Sequence, residues 1–97
     1  MRVVRFMIRG RVHGVGFRAF VEDEAAARGL KGWVRDRRDG SVEAVIAGEP
    51  QAMDAMIAAC RRGPRSAQVD AIEVAEADEK ALDARRPGED FSMLPSA

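Results

Sequence analysis

Apolar and polar positions alternate at the start of the chain: Val4, Phe6 and Ile8 fall on one side, Val3, Arg5 and Met7 on the other. A period of two puts successive side chains on opposite faces of a strand, so Val3–Arg9 is predicted as the first strand. Gly10–Gly16 is a glycine-punctuated loop, after which the period lengthens. Phe17, Phe20, Val21 and Ala25 share one helical face, which predicts a helix over Phe17–Arg28, with Gly29 where a left-handed cap would end it. Lys31–Asp36, around Trp33 and Val34, is the second strand. Asp39-Gly40 is a hairpin turn signal, and Ser41–Ala47 is the third strand, alternating through Val42, Ala44 and Ile46.

Gly48-Glu49-Pro50 opens a second helix, with proline placed near its first turn. Met53, Met56, Ile57 and Cys60 then recur at the spacing of a buried helical stripe, and Gly63-Pro64 stops it. Gln68–Glu76 is the fourth strand. Its phase slips between Val69 and Ile72, which a bulge or a shorter strand would explain. Asp78–Asp90 is polar and loop-like, and Phe91–Leu94 is a candidate closing edge strand. The order βαββαβ with two amphipathic helices predicts an α+β, ferredoxin-like sandwich, both helices on one antiparallel sheet. No repeat, linker or low-complexity tract divides residues 1–97, which are read as a single domain.

Composition narrows the class. With 46% apolar and 33% charged residues the chain is that of a soluble globular protein. No apolar run approaches the ~20 residues that span a bilayer, and the first residues lack a signal-peptide core, so a cytoplasmic, membrane-free protein is expected. The single cysteine, Cys60, excludes an internal disulfide and a cysteine-based zinc site. Net charge is zero, but Met1–Arg38 carries ten Lys/Arg against four Asp/Glu, and the remainder six against twelve. That asymmetry suits either one local basic site for a small anion or ordinary solvated surface. An RNA-binding sheet would need exposed aromatics and a basic face; one tryptophan, no tyrosine and zero net charge argue against it.

The segment Gly10-Arg11-Val12-His13-Gly14-Val15-Gly16-Phe17-Arg18 carries the candidate chemistry. The first amides of a helix have no intrahelical acceptor and are usually capped by Ser, Thr, Asp or Asn. Gly14, Val15 and Gly16 offer no such side chain. Glycine also lets the backbone curl so that successive N–H groups converge, which suits phosphate at the positive end of a helix dipole. Arg18 in the first turn opposes that dipole, a cost that makes sense if its planar fork grips an anion. The other reading is a plain turn, with Arg18 paired to a carboxylate such as Glu22.

Taken with Gly29-Leu30-Lys31-Gly32-Trp33-Val34, Asp39-Gly40-Ser41-Val42-Glu43 and Gly63-Pro64-Arg65-Ser66-Ala67-Gln68-Val69, this segment resembles the acylphosphatase family in order and spacing over nearly the whole chain. The resemblance implies the same sandwich fold and hydrolysis of acyl phosphates to a carboxylate and inorganic phosphate, with no metal or organic cofactor. It implies a phosphate cradle of backbone from His13 through Gly14, Val15, Gly16 and Phe17 to Arg18, whose guanidinium binds phosphate oxygens. The expected partners are a small-molecule acyl phosphate and its phosphate product, with no nucleic acid, and the chain is expected to act as a monomer. Related domains also occur at the front of larger carbamoyl-transferring maturation proteins.

One position departs from the family pattern. Three residues after the tryptophan the family places an asparagine that holds the attacking water; here that residue is Asp36. An ionised aspartate accepts but cannot donate, and it sets a negative charge beside phosphate. At ~5 Å and an effective dielectric of ~20 the repulsion is roughly 3 kcal/mol per unit charge, on the order of a hundredfold in rate if unrelieved. Asp36 is therefore expected either to depress activity or to act as a general base. Arg35, Arg37 and Arg38 form a basic hairpin rim, read as anion steering or as solvated surface. His13 stands where the family often has glutamine, and its backbone is expected to matter more than its ring. Cys60 and Trp33 are expected to pack.

Overall fold

The computed structural model describes all of residues 1–97. Along the chain run β1 (Arg2–Arg11), α1 (Phe17–Ala27), β2 (Lys31–Asp36), β3 (Val42–Gly48), α2 (Pro50–Arg62), β4 (Gln68–Glu76), a 3-10 helix (Glu79–Ala84) and β5 (Phe91–Met93). The sheet order is β4-β1-β3-β2-β5. The four longer strands pair antiparallel, as the pattern predicts, whereas β5 joins β2 in parallel, so the five-stranded sheet is mixed. The phase slip in β4 is a register shift at Arg9/Gly10: Arg9 pairs with Ala71 and Gly10 with Val69, leaving Asp70 unpaired in the ladder.

Both helices cover one face. Val4, Phe6 and Ile8 from β1, with Val34, Val42, Ala44 and Ile46, pack against Phe17, Val21 and Ala25 of α1 and Met53, Met56 and Cys60 of α2. At 11 residues and with no side-chain cap, α1 is too short to persist alone. Burial of Phe17 and Val21, about 1.5–3 kcal/mol each, is what holds it. Phe20 stays half-buried at its edge, its ring edge-on to Phe17 at 5.8 Å.

The opposite face is partly covered by the segment read as loop-like. Asp78 caps its 3-10 helix by accepting from the Lys80 amide at 2.8 Å. Leu82 packs with Val3, Trp33, Val45 and Ala47, and the Trp33 indole N–H donates to the Ala81 carbonyl at 2.7 Å. A lone leucine in a polar run carries no period, so this short element left no pattern to read.

Strand pairing also resolves the charge asymmetry. Basic β1 lies between acidic β4 and β3, giving Arg2–Glu76 at 3.0 Å, Arg9–Glu73 at 2.9 Å and Arg5–Glu43 at 3.0 Å. The excess positive charge of the first 38 residues is thus largely matched across strands and does not form a broad basic face.

Candidate active site

The loop between β1 and α1 turns on two glycines. Gly14 has φ 69° and Gly16 φ 77°, both in the left-handed region, and a Cβ at either would meet nothing within 4 Å. Glycine is therefore required by backbone conformation, not by space. Gly16 occupies the N-cap of α1 without a side-chain cap, and the first bond back to the loop is Phe20 N–H to the Gly16 carbonyl at 3.0 Å. None of the turn and loop hydrogen bonds uses the amides of His13 through Arg18 as donors. Val15 turns inward and packs against the core.

Gly14, Gly16, Phe17 and Arg18 line a recess of about 140 Å³ together with Asp36 and Met93. Asp36 ends β2, and its side chain reaches toward α1: Arg18 Nε lies 3.4 Å from Asp36 Oδ2. The first-turn arginine is therefore paired with Asp36 rather than with Glu22. On the carboxylate's other oxygen, His13 Nε2 lies 3.7 Å from Oδ1 and 2.8 Å from the Ser41 carbonyl oxygen. His13 is thus held by its ring as well as by its backbone position.

Asp36 is fixed from both sides of the chain. Its carbonyl accepts from the Ala97 amide at 3.0 Å, and the Arg38 amide donates to the Ala97 carbonyl at 2.8 Å. Beyond it the hairpin is closed by Arg37 N–H to Ser41 O at 2.8 Å, with Asp39 Oδ1 accepting from the Ser41 hydroxyl and amide at 2.6 and 2.9 Å. Those two bonds, more than the nearby arginines, hold the Asp39 carboxyl below its ordinary pKa.

The basic rim is largely spent on structure. Glu43 is 5% exposed and takes Arg5 at 3.0 Å, Arg35 at 2.9 Å and Arg37 at 3.1 Å. Burial would raise its pKa, but the hydrogen bonds from Arg35 and Arg5 and the charge of Arg37 outweigh that and lower it. Arg35 also lies over Trp33, 4.9 Å from the ring centroid. Cys60 is fully buried in the helix layer, and burial pushes its thiol up to about 12.

A family profile described as Acylphosphatase matches residues 4–93, a span that includes the loop, Arg18, Asp36 and β5. The chain belongs to the acylphosphatase family. It is 57% identical to an acylphosphatase of Bradyrhizobium diazoefficiens over 97% of this chain and 95% of that one. It is 56% identical to an acylphosphatase of Rhodopseudomonas palustris over 92% and 90% of the two chains. The crystal structure of acylphosphatase from Bacillus subtilis superposes with a TM-score of 0.83 at 37% identity, covering 97% of this chain and 99% of that one. Acylphosphatases are hydrolases acting on acyl phosphates, and this chain is an enzyme of that class. No helix is long and apolar enough to cross a membrane.

Two neighbours of the recess escaped the sequence reading. Met93 enters the recess only because β5 pairs beside Val34 of β2, a contact with no local signal. Ser41 contributes a main-chain carbonyl, and the Asp-Gly-Ser turn that positions it was visible without hinting that His13 would use it.

Proposed function

We propose that the chain hydrolyses the carboxyl–phosphate bond of acyl phosphates at the Gly14–Arg18 loop. The reading is carried by one observation: an uncapped loop with two left-handed glycines opens α1 directly beside Arg18, in the recess that also holds Asp36. Main-chain amides from His13 to Arg18 would cradle the phosphoryl oxygens, and the arginine fork would take two of them. The Asp36 contact engages Nε of Arg18, leaving both Nη groups for the anion. Catalysis here is positioning and charge stabilisation, as elsewhere in phosphoryl transfer.

Water attacks phosphorus in line as the bond from phosphorus to the acyl oxygen breaks. The carboxylate leaves with the bonding pair, and a proton of the attacking water passes to a phosphate oxygen. RCO–OPO3(2−) and water thus become RCOO(−) and H2PO4(−), with no covalent enzyme intermediate and no cofactor. Asp36 accepts a hydrogen bond from that water and lowers the rate through its charge. In this reading residues 1–97 work as one domain and as a monomer.

The test is phosphate release from benzoyl phosphate by wild type and Arg18→Ala. Turnover by wild type that falls at least about hundredfold in the variant is expected, the scale of losing one preorganised charge contact. The Arg18–Asp36 contact favours one second reading, a module that binds the anion without turning it over. No turnover, with phosphate binding that requires Arg18, would decide for that binder.

A further inference from the structure

The proposed reaction leaves the His13 ring without a task, although its Nε2 lies 3.7 Å from Asp36 Oδ1 and 2.8 Å from the Ser41 carbonyl oxygen. A carbonyl oxygen only accepts, so Nε2 carries a hydrogen. Nδ1 is the ring nitrogen left without a hydrogen, and the side chain is 38% exposed, open to solvent. Protonating Nδ1 therefore adds a charge beside Asp36 without breaking the bond to Ser41.

We propose that His13 is a positioning residue whose imidazolium offsets the Asp36 carboxylate beside the anion recess, so that anion affinity falls as His13 loses its proton. The proposal rests on the acylphosphatase reading of that recess. Arg18 and Asp36 cancel; with His13 protonated the three groups carry one net positive charge. Two charged groups of the hairpin beside the ring are already engaged. Asp39, behind Ser41, faces Arg9 at 3.6 Å, and Arg37, whose amide shares the Ser41 carbonyl, gives its side chain to Glu43. Carboxylates and guanidinium groups ordinarily hold their charge between about pH 5 and 8, and an imidazole does not. This chain therefore has, where an asparagine would need none, a counter-charge for Asp36 that depends on pH.

Sulfate is the probe, because it stays a dianion throughout that interval whereas phosphate titrates within it. Binding is read from the backbone amide resonances of Gly14 and Gly16 in the full chain, independently of turnover. From about pH 5.5 to about pH 8 the wild-type dissociation constant is expected to rise about tenfold, the effect of one charge on a dianion at solvent-like dielectric. His13→Gln keeps a donor for the Ser41 carbonyl, so a purely structural role would be rescued. It is expected to bind at the weak, high-pH value at every pH. His13→Lys, with a permanent charge, is expected to stay near the tight value. A flat wild-type profile, or variants that follow the wild-type curve while sulfate still binds the loop, overturns the role of His13 alone. Loop amides that ignore sulfate at every pH overturn the anion cradle and this proposal with it.

Discussion

Replacing Asp36 by asparagine removes one negative charge from the recess and changes almost nothing else in volume. Its consequence can be worked from the contacts. A carboxylate ~5 Å from a phosphate, at an effective dielectric of ~20, raises the energy by roughly 3 kcal/mol per unit of phosphate charge. Arg18, 3.4 Å away on Oδ2, returns part of that, and the carboxylate is 17% exposed, so solvent returns more. A net relief of about 1.4–3 kcal/mol remains, equivalent to a gain of roughly tenfold to hundredfold in kcat/KM. Both oxygens of Asp36 face donors, Arg18 Nε–H and His13 Nε2–H, so the amide of an asparagine must turn away from at least one of them. The assay is steady-state hydrolysis of benzoyl phosphate by both proteins at one pH and ionic strength, repeated at high salt, where screening should shrink the difference. An asparagine variant no faster than wild type refutes the repulsion argument. One that is slower assigns Asp36 to proton abstraction.

Three further outcomes follow from the same contacts. Gly16→Ala forces a Cβ onto a backbone at φ 77°, so a stability loss of about 1–2 kcal/mol in urea unfolding is expected, with a rise in KM because the loop relaxes away from its curl. A Gly16→Ala enzyme with wild-type KM would contradict the cradle. Because the folded pKa of Glu43 lies below its ordinary 4.5, its stabilisation is present above that value and is lost as pH falls through the folded pKa. Glu43→Gln should therefore destabilise by about 1–3 kcal/mol at neutral pH, less than a fully buried pair because Arg5 and Arg35 are part-exposed. The gap should close in acid, and an equal gap at both pH values would discount the arginine cluster. Cys60, with its thiol raised to about 12 by burial, should react with a disulfide reagent near pH 8 only as fast as the protein unfolds, whereas labelling ahead of unfolding would show the helix layer opening locally.

What the sequence determined by itself is whatever rests on neighbours within one element or one turn. The period-two stretch of β1, the stripe Met53-Met56-Ile57-Cys60, the turn at Asp39-Gly40 and the glycine loop before Arg18 are all local, because side-chain period and backbone freedom act over a few residues. Even the slip at Val69–Ile72 marked its bulge. Tertiary structure alone decided what depends on which strand lies beside which. It set β5 parallel to β2 and so brought Met93 to the recess. It laid Glu43 of β3 and Glu73 and Glu76 of β4 against basic β1, turning an apparent basic half into cross-strand pairs. It also placed Asp36 between His13 and Arg18, residues 23 and 18 positions away in the chain. Such contacts are made by chain closure and sheet register, which leave no periodic trace in the residues that meet.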